Sequence, residues 1–420
     1  MAWQVERQIA GKTLRLESGD LARQADGAVL VTYGESVVLV AAVAEPARGD
    51  LDFFPLTLDY REKQYAAGKF PGGIIKREGR PTTKEILTMR LTDRPLRPLF
   101  PDDYVEEVQV AAVVLSADKE NDPDMLAMVG ASASLAVSDI PFNGPIGACR
   151  VGLVEDEFVI NPTNEAREKS EMEFVVAGTE KAVVMVEGSA RIIPEDDVLT
   201  ALDLAQDVNR EIVAMINELV SQCGKQKRTY EPVPSVQPVV DALRPRFGDA
   251  LAQASGVAEK IARNKAMAAV KREAIEALCD EEAEDAFTEK QVKQAFEKLE
   301  SEILREQILR QGVRYDLRKP EDLREIRCSV AVLPRTHGSA VFTRGETQVL
   351  AVTTLGTVQD QQRVLDPLVE EEPKKFMVHY NFPGWCVGEV WMPRGPKRRE
   401  IGHGELAERA LLAVLPGPDD

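Results

Sequence analysis

The chain has 420 residues, with 52 Lys+Arg against 70 Asp+Glu, three His and five Cys. At 44% apolar residues it can bury real cores, and its net charge of −18 excludes a protein that coats nucleic acid with its whole surface. No run approaches the ~18 consecutive apolar residues of a membrane helix, the N-terminus lacks a signal-peptide apolar region, and no CxxC pair occurs. These features predict a cytoplasmic protein of about two to three domains, with no disulfide framework, structural zinc or membrane partner.

Taken in chain order, Ala28–Val31 and Val37–Val40 are β-branched runs around Tyr33-Gly34-Glu35-Ser36, which predicts a hairpin. Phe53 to Tyr60 is a further strand candidate. Thr82 to Leu99 reads as a helix ended by Pro95 and Pro98. Val108 to Leu115 is an apolar strand. Leu126 to Val137, rich in Ala, Gly and Ser, predicts a helix able to press its backbone close to a sheet or ligand. Glu195 to Cys223 is a long amphipathic helix stopped by Gly224. Arg228 to Val239, with Pro232, Pro234 and Pro238, reads as a linker. Residues 240–311 are charged and helical. Val257 to Leu278 marks one helix, and Thr288 with Gln291 is a capping box opening another, closed by Gly312.

Self-comparison exposes a repeat. Asp26 to Leu39 matches His337 to Leu350 at a constant offset of 311, including both glycines and the Gly-Glu-Ser/Thr turn. A gapped second match pairs Arg77-Glu78 with Arg399-Glu400, then Leu91 to Arg94 with Leu406 to Arg409. One α/β unit therefore occurs twice, on either side of a helical insert. Counterparts of residues 102–222 are absent from the second copy, so the chain is expected to be truncated within it.

Residues 61–97 hold ten Lys/Arg and four Asp/Glu, a local +6. Lys76, Arg77 and Arg80 stand in a glycine-flanked loop, which suits cations reaching phosphates and equally a solvated loop. Arg90, Asp93, Arg94 and Arg97 recur at helical spacing, as phosphate contacts or as an ion-paired face. In the second copy Arg394, Lys397, Arg398 and Arg399 precede Glu400-Ile401-Gly402-His403-Gly404. Adjacent arginines entering a helix can grip a phosphate; His403 between glycines suits hydrogen bonding as well as chemistry. Glu171 and Glu173 would share one strand face, a possible Mg²⁺ pair or an exposed face.

Four segments carry a resemblance: Phe70 to Pro81, Asp93 to Pro101, Phe342 to Gln348, and Arg398 to Gly404. With the duplication and helical insert, they make the chain similar to the polynucleotide phosphorylase (polyribonucleotide nucleotidyltransferase) family. The resemblance spans essentially the whole chain. It implies an α/β (α+β) fold of two RNase PH-like cores, built from βαβ units like domain 2 of ribosomal protein S5, flanking an all-α domain. The expected division is 1–145 and 146–228 for the first core and its C-terminal subdomain, 229–312 for the helices, and 313–420 for an incomplete second core. It also implies phosphorolytic 3′-to-5′ degradation of single-stranded RNA in mRNA turnover, with release of nucleoside diphosphates. Mg²⁺ and inorganic phosphate would be required. The partners implied are single-stranded RNA, two further copies in a ring-shaped homotrimer, and proteins of an RNA-degradation complex.

Residue by residue, Arg398 and Arg399, with His403 beside them, match the active-site segment. Ile74, Ile75, Lys76 and Arg77 match a channel-entrance loop where aromatics and arginines are common. Here two isoleucines replace the aromatics, leaving charge attraction through Lys76 and Arg77; Arg80, Arg94 and Arg97 are the further RNA-binding candidates. The family's Ser-rich phosphate loop and its catalytic Asp-x-Asp-Phe-Lys segment would follow residue 420, as would the Mg²⁺ ligands. The first-core counterpart of the catalytic segment is Glu171-Met172-Glu173-Phe174-Val175, where Val175 replaces Lys. The given chain is therefore expected to be inactive or nearly so. The alternative is a non-catalytic ring subunit that threads RNA.

Overall fold

Strands β1 (Trp3–Ile9), β2 (Lys12–Ser18), β3 (Gly27–Tyr33) and β4 (Ser36–Glu45) form an antiparallel meander. Alternate side chains of β3 and β4 are buried, which turns Val29, Val31, Val38 and Val40 inward. The predicted hairpin turns on Gly34 at φ +63°, a conformation that favours glycine. The structure, a computed structural model, describes residues 2–47, 49, 53–72, 76–279, 287–314, 316–362, 368, 373–392 and 395–416. They divide into two compact units, 1–233 with 360–420, and 234–359.

In the first unit, β5 (Leu56–Glu62) and β6 (Glu107–Ser116) complete a six-stranded sheet of order β1-β2-β3-β4-β6-β5, parallel only between β5 and β6. Helix α1 (Thr83–Leu96) opens on a Thr82–Glu85 capping box. It runs through Pro95, which the sequence predicts as its end, and a 3₁₀ turn (Arg97–Leu99) follows. Pro95 and Leu96 are buried, which offsets the hydrogen bond that proline lacks. Helix α2 (Asp124–Val137) is buried along its whole length. A Cβ on Gly130 would lie 2.5 Å from Val40 Cγ2 and 2.9 Å from Val31 Cγ2, so the glycine lets α2 seat on β3 and β4.

The C-terminus of α2 is closed from far along the chain. Lys227 Nζ donates to the carbonyls of Leu135 (2.8 Å), Ala136 (3.2 Å) and Ser138 (2.8 Å). One ammonium thus serves helix-end carbonyls that have no intrahelical donor. Lys227→Met is expected to cost about 1–3 kcal/mol, because those acceptors lose their donor. Urea denaturation would show a lower midpoint at unchanged slope; an unchanged midpoint would refute the cap.

A second sheet, order β10-β9-β7-β8, contains β7 (Gly147–Val154), β8 (Glu157–Ile160), β9 (Met172–Gly178) and β10 (Val183–Ala190). Helix α3 (Asn164–Lys169) lies between β8 and β9 in the chain. Helix α4 (Glu195–Cys223) has the bounds the sequence predicts, and Glu195, Asp196 and Asp197 in its first turn suit the helix dipole.

The second unit holds α5 (Gln237–Ser255), α6 (Lys260–Leu278) and α7 (Glu289–Gln311). Pro238 sits in the first turn of α5, so it starts a helix rather than extending a linker. Val257 lies between α5 and α6, outside the helix expected to contain it. Thr288 and Gln291 form the capping box, and Gly312 closes α7 at φ +66°. The repeat then returns as β11 (Ile326–Val330), β12 (Gly338–Arg344) and β13 (Thr347–Thr353). Gly338 faces Thr353 and Arg344 faces Thr347, the register of Gly27 with Ala42 and Tyr33 with Ser36 shifted by 311. Gly345, at φ +60°, repeats Gly34. Residues 313–420 fall into both compact units, because compactness and descent by duplication are separate criteria. Helix α8 (Arg398–Leu412) belongs with the first unit and packs against α1.

Candidate functional site

The first turn of α8 carries Arg398 and Arg399, and its N-terminus is fixed by Glu400. The carboxylate accepts from Lys397 N–H (2.9 Å) and Phe382 N–H (3.0 Å), which together hold it below the usual carboxylate range. In the first copy Glu85 does the same for α1, accepting from Thr82 N–H (2.6 Å) and Glu62 N–H (2.8 Å). The two glutamates are therefore equivalent, at an offset of 315. This corrects the sequence pairing of Arg77-Glu78 with Arg399-Glu400: the first-copy counterpart of Arg399 is Lys84, and that of Arg398 is Thr83.

Arg398 is partly committed to the fold. Its Nη1 donates to Leu58 O (3.0 Å) and its Nη2 lies 3.5 Å from Asp59 Oδ1. Arg399 makes no ion pair among the described residues. His403 lies one turn beyond it on the same helix face. The imidazole meets Tyr380 edge-on at 5.4 Å, and rings continue through Phe382 (6.2 Å) to Trp391 (6.3 Å). The flanking glycines have packing reasons. A Cβ on Gly402 would lie 2.5 Å from Arg90 Nε, and one on Gly404 3.3 Å from Val378 O. A cleft of about 430 Å³ beside them is lined by Thr83, Lys374, His379, Tyr380, Glu400 and Glu405, among others.

The first-copy cations separate into two groups. Lys76, Arg77 and Arg80 are exposed, and Lys76 Nζ lies 5.3 Å over the Phe70 ring. Ile74, Ile75 and Arg394 lie outside the described residues. Arg94 pairs with Glu187. Arg97 binds Asp93 through two bonds (2.7 and 2.6 Å) and donates to the carbonyls of Phe54 (3.0 Å) and Leu56 (3.1 Å). That gives Arg97 a structural task, the ion-paired face left open by its spacing.

The carboxylate pair Glu171/Glu173 is divided. Glu171 is exposed, whereas Glu173 is paired with Arg150 and with Arg167 (3.0 Å). Around it lies a buried network: Arg150 with Asp124, Arg167 with Asp122 (3.0 Å), and Lys84 with Glu62 (3.1 Å) and Asp122 (3.5 Å). Burial alone would raise the Asp122 pKa, but Lys84, Arg150 and Arg167 pull it well below the usual range. Glu173 is also lowered: Arg150 and Arg167 overcome its burial. Two guanidinium groups thus occupy Glu173, so the residues present do not fit a Mg²⁺ site there. Among the described residues no group of three or more His, Cys, Asp or Glu is placed to hold a metal. Sequence spacing missed this network because its members come from six separate elements and the loop before α2.

The family model for the 3′ exoribonuclease family, domain 1, matches residues 10–141 and 322–419, and that for domain 2 matches residues 144–208. The chain belongs to this 3′ exoribonuclease family, and both of its copies have the RNase PH-like fold. Residues 238–319 match the RNA-binding domain of polyribonucleotide nucleotidyltransferase. The chain is 50% identical to the polyribonucleotide nucleotidyltransferase of Heliobacterium modesticaldum over 98% of its length and 58% of that protein's. Identity is 50% to that of Thermomicrobium roseum, over 98% of this chain and 53% of the relative. It is 51% to that of Koribacter versatilis, over 97% and 50%. The chain thus spans about half to three-fifths of the length of the curated relatives it matches.

Proposed function

We propose that this chain supplies the RNA-guiding and phosphate-gripping parts of a phosphorolytic 3′-to-5′ exoribonuclease. One observation carries the reading: Arg399 enters α8 without an ion pair among the described residues, at a helix N-terminus fixed by Glu400. Guanidinium and helix N–H groups together suit a phosphate. In the reaction an oxygen of inorganic phosphate bonds to the terminal phosphorus, the P–O3′ bond breaks, and a nucleoside diphosphate leaves. Arg399 would hold the attacking phosphate or the nonbridging oxygens, with Arg398 and His403 beside it. Lys76, Arg77 and Arg80 would draw in the single-stranded RNA backbone. The similarity to nucleotidyltransferases with a named RNA-binding domain supports this assignment.

The reading extends to a cytoplasmic homotrimer that turns over mRNA with Mg²⁺ and works beside other RNA-degradation proteins. Full activity is proposed for a chain of the relatives' length. No helix is long and apolar enough to cross a membrane among the described residues. The test incubates a chain of the relatives' length with a 3′-labelled oligoribonucleotide, with and without phosphate. Phosphate-dependent release of diphosphates is expected. Monophosphates released without phosphate would indicate hydrolysis. Binding without turnover would favour the RNA-threading subunit, a role that the ion-paired Lys84 already suits in the first copy.

A further inference from the structure

One structural element occurs in both copies and has no part in the site above. In the first copy a 3₁₀ turn (Gln64–Ala67) is closed by Gly68 at φ +69°; in the second, Gly384–Val387 is closed by Gly388 at φ +74°. Three backbone bonds recur at an offset of 320. Ala66 N–H donates to Lys63 O (2.9 Å), Gly68 to Tyr65 O (3.0 Å) and Lys69 to Gln64 O (3.0 Å). Cys386 donates to Pro383 O (3.0 Å), Gly388 to Trp385 O (3.3 Å) and Glu389 to Gly384 O (3.0 Å). The side chains have largely diverged, Gln-Tyr-Ala-Ala-Gly against Gly-Trp-Cys-Val-Gly. An aromatic ring at the second position and the closing glycine remain.

Those two rings are held out in water. Tyr65 is 55% exposed and Trp385 78%. The chain has only three Trp and seven Tyr, so displaying a large ring on the same rigid turn twice is not a compositional accident. Each turn is followed by a Lys-Arg pair, Lys76-Arg77 eleven residues after Tyr65 and Lys397-Arg398 twelve after Trp385. Each lysine already lies over a nearby ring, Lys76 on Phe70 (5.3 Å) and Lys397 on Trp391 (3.9 Å). Trp391 is further tied by its indole N–H to Glu389 Oε2 (2.6 Å), whereas Trp385 projects from the turn. Exposed rings beside cations are what sequence-tolerant single-strand recognition needs, since every base has a π-face and every nucleotide a phosphate. A turn held by three backbone bonds also lowers the ordering cost of stacking.

We propose that Tyr65 and Trp385 are paired base-stacking platforms for single-stranded RNA, one contributed by each copy. The proposal rests on the RNA-binding reading above and assigns it two residues outside the basic loop and α8. The net charge of −18 makes the rings more telling, because cations alone must work against the chain's overall field.

The test uses the 420-residue chain with a fluorescein-labelled oligo(A) strand and an abasic strand of equal length, which presents the same phosphates. The double variant Tyr65→Ala/Trp385→Ala is expected to weaken oligo(A) binding roughly tenfold or more, given alanine losses at stacking residues. Abasic binding and the salt slope should stay unchanged, since no phosphate contact is removed. Trp385→Phe should restore most of the oligo(A) affinity. In a Trp3→Phe/Trp391→Phe background, oligo(A) should quench Trp385 fluorescence. An unaltered preference for oligo(A) over abasic RNA in the double variant overturns the platforms while leaving the RNA reading intact. A change of oligomeric state by light scattering, with RNA affinity unmoved, overturns them in favour of a contact between copies. If neither strand binds wild type, and Lys76→Ala/Arg77→Ala changes nothing, the RNA reading falls and the platforms with it.

Discussion

Arg399→Ala, in a chain of the relatives' full length, is expected to lower phosphorolysis about 10²- to 10³-fold, the usual cost of losing a preorganised oxyanion donor. Its stability should be nearly unchanged, because Arg399 makes no ion pair among the described residues. Arg398→Ala should behave differently. That side chain donates to Leu58 O and lies 3.5 Å from Asp59, so its loss should lower both rate and melting temperature. Single-turnover kinetics and thermal melts on the two single variants separate these roles. Equal rate losses with equal destabilisation would show that both arginines are structural.

The largest stability effect is expected at Arg150, whose side chain is 7% exposed between Asp124 and Glu173. Arg150→Met leaves a buried carboxylate without its partner and should cost about 3–5 kcal/mol. For a unit of this size that corresponds to roughly 5–8 °C in melting temperature. Adding Asp124→Leu should recover part of the loss, since replacing both partners removes the unpaired charge. The network also sets an acid limit. Asp122 and Glu173 have lowered pKa values in the folded state, so their contribution is complete above the ordinary carboxylate range. It is lost as pH falls through the depressed values. Arg167→Gln should therefore move the acid limb of the stability profile to higher pH; an unmoved limb would contradict the assignment.

Local features were legible in the sequence. The bounds of α4, the Thr288 capping box, Gly312 and the duplicated hairpin all follow from spacing within a few residues. The arginine pair entering a helix was also legible. The alignment of the two copies around it was not, because Arg77-Glu78 and Lys84-Glu85, seven residues apart, both offer a Lys/Arg-Glu dipeptide as the counterpart. The Thr82-x-x-Glu85 capping pattern could have decided between them. Asp93, one turn before Arg97, was legible as an ion-pair partner, but the carbonyls of Phe54 and Leu56 that also hold Arg97, and the Arg150 that holds Glu173, lie tens of residues away, which no local period encodes. Pro238 misled for a related reason: proline disrupts a helix interior yet suits its first turn.

The packing of α8 against α1 has a consequence for synthesis on the ribosome. Some 300 residues separate Leu96 from Arg398, so at about 5–20 residues per second α1 would wait roughly 15–60 s for its neighbour. During that interval the face of α1 that carries Arg90 lacks the helix that will bring Gly402 against it. The older half of the nascent chain is then a mould for the younger half. Slowing translation between the two would lengthen exposure of the mould, without altering a single contact in the finished protein.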